Sequence, residues 1–320
     1  MRTSVEWMER HQVLLYVAAL AVGAGAGLLA PAVAHPAELA ITPVLGVLLY
    51  ATFLGVPFAR VGQALRDGRF LATVLVLNFA VVPVVVWALS RIVAHDRVLL
   101  VGVLFVLLTP CIDYVIAFTG IAGGAKDRLL AAAPLLMVAQ MLLLPLQLWL
   151  FVGPEFVQRI DLAPFAEAFV LLIVVPLAAA GLTQLAAART HWGSATESVV
   201  SGAMVPLMML TLALVVASQL AAVGARIGSM ALAVLVYVLF AVLMVPIGAL
   251  AGRIARLDVP ARTAVVFSGV TRNSLVVLPL VLALPAAFDL APLAVVTQTL
   301  VELVAMVVLV RLVPALLRRR

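Results

Sequence analysis

The chain has 320 residues, of which 66% are hydrophobic and only 11% charged, with a mean hydropathy of +1.27. A soluble domain averages about 25% charged residues, so a water-solvated globular enzyme is excluded. The single cysteine excludes a disulfide framework or a multi-cysteine metal site.

A helix needs roughly 20 apolar residues to cross a bilayer, and ten segments reach that length, at about 12–34, 39–58, 70–90, 98–122, 129–152, 163–188, 199–222, 229–252, 262–284 and 290–313. The first is too long for a signal-peptide core, and Gly25 to Ala34 offers no cleavage site, so it is expected to stay as a helix. The third carries Asn78 and Pro83. The fourth holds LLTPCIDYVIAFTG, Leu107 to Gly120, where Pro110 lacks an amide proton and interrupts the hydrogen-bond ladder. Gln140 and Gln147 lie in the fifth, and Pro246 in the eighth. The ninth holds FSGVTRNSLVVLPL, Phe267 to Leu280, with Gly269 and the polar run Thr271, Arg272, Asn273 and Ser274 in mid-span. The tenth carries Gln298 and, four residues on, Glu302 on the same helix face.

The net charge of +6 and pI of 10.4 follow this topology. With the N-terminus inside, 14 of the 20 Lys and Arg fall in cytoplasmic segments and four in external loops. This is the positive-inside asymmetry, and it predicts an inner-membrane protein with both termini cytoplasmic. The basic balance therefore reports orientation and not a nucleic-acid partner.

An internal repeat emerges at an offset of 158 residues. Ala133 to Leu142, APLLMVAQML, and Ala291 to Leu300, APLAVVTQTL, agree at six of ten positions, including Pro134/Pro292 and Gln140/Gln298. The competing reading is chance likeness between apolar segments. The same offset overlays the two interrupted segments, placing Asp113 on Thr271. Five helices per half is an odd number, so the second half enters the membrane upside down. The expected fold is an all-α membrane protein, one transporter domain over 1–320, with inverted repeats at about 12–152 and 163–313 and helices four and nine broken and crossing. Unwound backbone at membrane depth survives only when buried in protein or lining a cavity, and inverted repeats place solute sites near the midplane.

Charges inside spans cost on the order of 2.5–3.5 kcal/mol each and mark function by default. Three lie deep: Asp113, Arg272 and Glu302. Asp113 and Arg272 read either as a pair framing a solute or as a salt bridge pinning a helix crossing. Glu302 reads as a carboxylate that takes and releases a proton, or as one satisfied by Arg272 or by hydroxyls of helix nine. Cys111 reads as a small hydrophobe or as a ligand for a soft solute. Thr109, Gln140, Ser268, Thr271, Asn273 and Gln298 are candidate cavity polars, or interhelical hydrogen-bond partners worth about 0.6 kcal/mol each. Phosphate-loop and His/Asp/Glu metal motifs are missing, so no cofactor and no metal is expected.

At these breaks the chain resembles the bile acid:sodium symporter superfamily, and within it the arsenite-efflux permeases. The resemblance runs over all ten helices. It is carried by CIDYVIAF from Cys111, where the permeases hold a functional cysteine, and by TLVELVAMVVLV, whose Glu302 matches a functional glutamate. It implies export of arsenite or antimonite, by exchange with protons, with Cys111 as a ligand of the solute and Glu302 carrying the proton; the reading of the two breaks adds Asp113, Arg272, Asn273 and Ser274 about the solute. In the sodium-coupled branch a glutamate and a Gln-Asn-Ser run of helix nine ligate sodium. Aligned on Asn273 and Ser274, this chain has Arg272 in place of the glutamine and Ser268 in place of the glutamate. A guanidinium keeps its charge and repels a cation. Asp113 and Arg272 also depart from the ordinary arsenite permeases. The alternative reading is a carrier of a small organic anion, such as a carboxylate, with Arg272 as counter-charge.

Overall fold

The computed structural model describes residues 5, 7–8, 11–55, 66–112, 114–153, 170–223, 227–282 and 284–318. These residues form helices and no strand. In chain order the helices are α1 (Gln12–Leu29), α2 (Ala34–Leu54), α3 (Gly68–Val76), α4 (Val82–Ser90), α5 (Arg97–Leu107), α6 (Tyr114–Ile121), α7 (Lys126–Val152), α8 (Val175–Ala187), α9 (His191–Gly202), α10 (Met204–Val223), α11 (Ile227–Ile254), α12 (Val259–Val270), α13 (Ser274–Leu282) and α14 (Ala291–Arg318). Among the described residues, five stretches are long and apolar enough to cross a bilayer unaided: Ala34–Leu54, Gly68–Val93, Lys126–Val152, Met230–Ile254 and Ala291–Leu317. Shorter apolar helices at Leu14–Leu29, Arg97–Leu107, Val175–Ala187 and Val259–Val270 accompany them.

Side-chain caps fix several starts. Asp67, Asp96, Thr190 and Asp258 each accept a backbone N–H of the first turn of α3, α5, α9 and α12 at 3.0–3.3 Å, satisfying donors that have no partner within the helix. Prolines shape the interiors. A π turn over Leu77–Val81 joins α3 to α4 two residues before Pro83, and a second over Val170–Val174 enters α8 two residues before Pro176. In both places the missing proline amide leaves an upstream carbonyl without its usual donor, and the widened turn accommodates it.

Segment 199–222, expected as one span, is carried by α10 from Met204 onward, with its first residues in the end of α9, and these two helices are bent by 44° to each other. Pro206 explains the bend, since it has no N–H to donate to Gly202 and cannot continue the ladder across Ala203. The start expected for the sixth span, 163–169, lies outside the described residues.

The chain divides into two compact units, and each draws on both halves of the sequence. The first comprises 1–56, 161–227 and 278–296; the second comprises 57–160, 228–277 and 297–320. In the first unit, α10 lies so close to α1 that a Cβ on Gly23 would sit 2.5 Å from the Ala213 carbonyl oxygen. Small residues of this kind let membrane helices approach closely. There α2 meets α8 through Tyr50 Oη and Thr183 Oγ1 at 2.7 Å, and the Gln184 amide donates to the Leu54 carbonyl at 2.9 Å.

In the second unit, Gly248 and Gly252 of α11 bring that helix against α12, with a Cβ on Gly248 falling 2.9 Å from Val266 Cα. Arg128, in the first turn of α7, pairs with both cap residues Asp67 (3.3 Å) and Asp258 (3.2 Å). One guanidinium thus ties the entries of α3 and α12 to α7.

Candidate functional site

Two interruptions define the site, and both belong to the second unit. Helix α5 ends at Leu107 and α6 begins at Tyr114; α12 ends at Val270 and α13 begins at Ser274. The segments between them pair antiparallel, Pro110 opposite Arg272. The Cys111 amide donates to the Thr271 carbonyl at 3.3 Å, and the Asn273 amide donates to the Thr109 carbonyl at 2.8 Å. Each break therefore supplies partners for backbone groups that the other leaves open, which is the condition for unwound chain inside an apolar body. Pro110, which has no amide to satisfy, is well suited to this position.

Arg272 is the largest fully buried side chain among the described residues, with no exposed surface. Its Nη2 donates to Asn78 Oδ1 at 2.7 Å, to the Ser268 carbonyl at 2.8 Å and to the Gly269 carbonyl at 2.8 Å; its Nη1 donates to the Leu107 carbonyl at 3.3 Å. The guanidinium carbon stands 5.3 Å from the centre of the Phe240 ring in α11, a cation–π contact. Three of those acceptors lie in the last turns of α5 and α12, whose C-terminal ends carry partial negative charge. The positive side chain thus sits where two helix ends point their spare carbonyls.

Glu302 is 4% exposed in α14. One of its oxygens accepts the Arg272 backbone N–H at 2.7 Å and is also approached by the Gln298 amide of the preceding turn. That N–H precedes α13, so the carboxylate lies at the positive end of a short helix. Asn78, in the π turn, donates to Ser268 Oγ at 2.9 Å and to the Val74 carbonyl at 3.0 Å. Ser274 Oγ bonds Thr299 Oγ1 at 2.7 Å. Asn78, Ser268, Arg272, Glu302 and Gln298 therefore form one continuous polar web through the unit.

The remaining expected residues take varied places. Cys111 is buried with no exposed surface, held by its amide beside Thr271. Thr109 turns its hydroxyl back to the Phe105 and Val106 carbonyls, and Thr271 turns its own to the Phe267 carbonyl. Asn273 Oδ1 accepts the Val276 amide at 3.2 Å, while its Nδ2 and Gln298 Oε1 are buried without a hydrogen-bond partner. Gln140 is buried in α7 with both amide atoms unpartnered and is not bonded to the web. Asp113 lies outside the described residues.

Against Glu302 and Gln298 opens a cavity of about 10 Å³, lined also by Leu107, Tyr237 and Phe240, room for about one water molecule. Sequence reasoning missed Phe240, Tyr237, Thr299 and the Leu107 carbonyl. Thr299 adjoins Gln298 and was accessible to a face argument. The aromatic pair of α11 sits in an apolar run without any polar signal.

The chain matches the sodium bile acid symporter family over residues 42–227, more than half its length. That stretch includes the first break and Cys111 and ends before Arg272 and Glu302. No curated protein matches the chain. Multiple apolar helices interrupted at paired, buried breaks agree with the family match, and the chain belongs to the sodium bile acid symporter family of membrane transporters.

Proposed function

We propose that the protein is a secondary transporter that exports arsenite or antimonite in exchange for protons, with Cys111 and Glu302 at a site near the bilayer midplane. On this reading it crosses the inner membrane ten times as one transporter domain with both termini cytoplasmic. The two shorter helices α5 and α12 join α6 and α13 as broken spans, and the halves are inverted repeats. Support for the repeat comes from the two compact units, each built from matching parts of both halves.

The observation that carries the reading is the pairing of the breaks. It sets the Cys111 backbone against Thr271, one residue from the Arg272 amide that Glu302 accepts. A thiol and a carboxylate are then joined through a single strand of backbone. Trivalent arsenic is soft and favours sulfur ligands. Condensation of the Cys111 thiol with As(OH)₃ forms one S–As bond and releases water, the thiol proton leaving with one hydroxide. Hydrolysis reverses the step. A single sulfur allows release where three would trap the metalloid. The thiol is enclosed in the present conformation, so loading requires the crossing to open.

Sodium has no part in this proposal. The Arg272 guanidinium already fills a nest of oxygens with a charge that cannot dissociate. The same observation weighs against an organic-anion carrier that uses Arg272 as counter-charge, because its Nη2 is turned onto three protein acceptors.

Arsenite uptake into everted vesicles tests the reading. Cys111→Ser abolishes uptake, and replacing sodium by choline leaves the wild-type rate unchanged. Undiminished uptake by Cys111→Ser removes the thiol from the mechanism. Labelled carboxylates that outcompete arsenite in proteoliposomes favour the anion carrier instead.

A further inference from the structure

A second feature of the second unit lies away from the breaks. Between α11, the start of α12 and the end of α14 runs a groove of about 240 Å³. Its walls are apolar: Val245, Ala249 and Leu250 on one side, Val313 and Leu316 on the other. Leu250 is 56% exposed and Leu316 46% exposed, so this face meets lipid. Two arginines border it, Arg253 in the last turn of α11 and Arg262 in the first turn of α12.

Neither arginine side chain has an ion pair or hydrogen bond among the described residues, and Arg262 Nε is buried without a partner. Its stem is held across Gly252, where a Cβ would fall 2.8 Å from Arg262 Cγ. The nearest acid in sequence, Asp258, is already committed. It caps α12 through the Ala261 amide and pairs with Arg128. Two forked cations above an apolar floor match a phosphate with a hydrocarbon tail. Arginine engages phosphate oxygens bidentately, and basic pockets between helices at the cytoplasmic leaflet take acidic headgroups. On the orientation proposed above, with both termini cytoplasmic, this end of α11 and α12 faces the cytoplasmic leaflet.

We propose that this groove binds an anionic phospholipid, its phosphate on Arg253 and Arg262 and one acyl chain along Leu250 and Leu316.

Native mass spectrometry of delipidated protein titrated with phosphatidylglycerol or phosphatidylcholine tests this. The wild type is expected to retain phosphatidylglycerol at least about tenfold more tightly than phosphatidylcholine, the scale expected for two arginines facing a net negative headgroup in place of one whose phosphate is offset by its own ammonium. Arg253→Gln/Arg262→Gln erases the preference, while Arg311→Gln, an exposed change on α14 outside the groove, keeps it. The single Arg253→Gln, at an exposed side chain, reports the same loss if the double variant folds poorly. Equal retention of both lipids, or an unchanged preference in both groove variants, overturns the proposal. Displacement of phosphatidylglycerol by millimolar glycerol phosphate also overturns it, in favour of a soluble anion.

Discussion

Arg272→Met keeps an unbranched chain of similar length and removes the charge and every donor. The four hydrogen bonds described for the guanidinium are charge-assisted, each worth roughly twice the 0.6 kcal/mol average of interhelical bonds in membranes. Together they contribute about 5 kcal/mol. Against this stands the cost of keeping an arginine at depth, about 3 kcal/mol on insertion scales. The variant relieves that cost, so the net expected loss is about 2 kcal/mol. Unfolding of the purified protein in mild detergent, followed by tryptophan fluorescence against denaturant, measures the difference. Arg272→Lys is expected to fall between the two, since an ammonium restores the charge but not the fork that spans Asn78 and the two helix ends. A methionine variant as stable as the wild type, or more stable, would refute the idea that the oxygens converge on this side chain because they need it.

Glu302→Gln keeps an oxygen for the Arg272 amide but cannot exchange a proton. Arsenite flux is expected to lose its response to an imposed pH gradient while the melting temperature holds; flux that still follows the gradient assigns the proton elsewhere. Two glycines of α1 provide a packing control. Gly23→Ala forces a methyl to 2.5 Å from the Ala213 oxygen and is expected to cost about 1–3 kcal/mol. Gly25→Ala meets nothing within 4 Å and should stabilise the helix by up to about 1 kcal/mol. Equal melting temperatures for the two variants would deny the close approach of α1 and α10.

Much of this architecture is written in local chemistry. Pro110 has no amide and Thr271 to Ser274 crowd an apolar span with polar groups, so both breaks were visible as places where a helix cannot continue. Their pairing was foreseeable too, since open backbone inside a membrane protein must find partners, and another break offers them. What escaped the sequence depends on tertiary direction. Gln140 aligns with Gln298 at the 158-residue sequence offset, yet only Gln298 reaches Glu302. Phe240 lies in a run of apolar residues that gives no reason to single it out, and the Leu107 carbonyl is a backbone atom that no side-chain pattern can announce. The bend at Ala203 was hidden because Val199 to Val223 reads as one apolar stretch, and a single proline decides it.

The widened turn at Leu77–Val81 has a consequence for how this span tolerates length change. It holds one residue more than a regular helix needs, so deleting a single position there would let the ladder close without shortening either flank. The same deletion in the regular helix of either flank would have no such slack, and everything on one side would rotate by about 100° relative to the other. Asn78 would then swing off Ser268 and Arg272, and the wiring it supports would come undone.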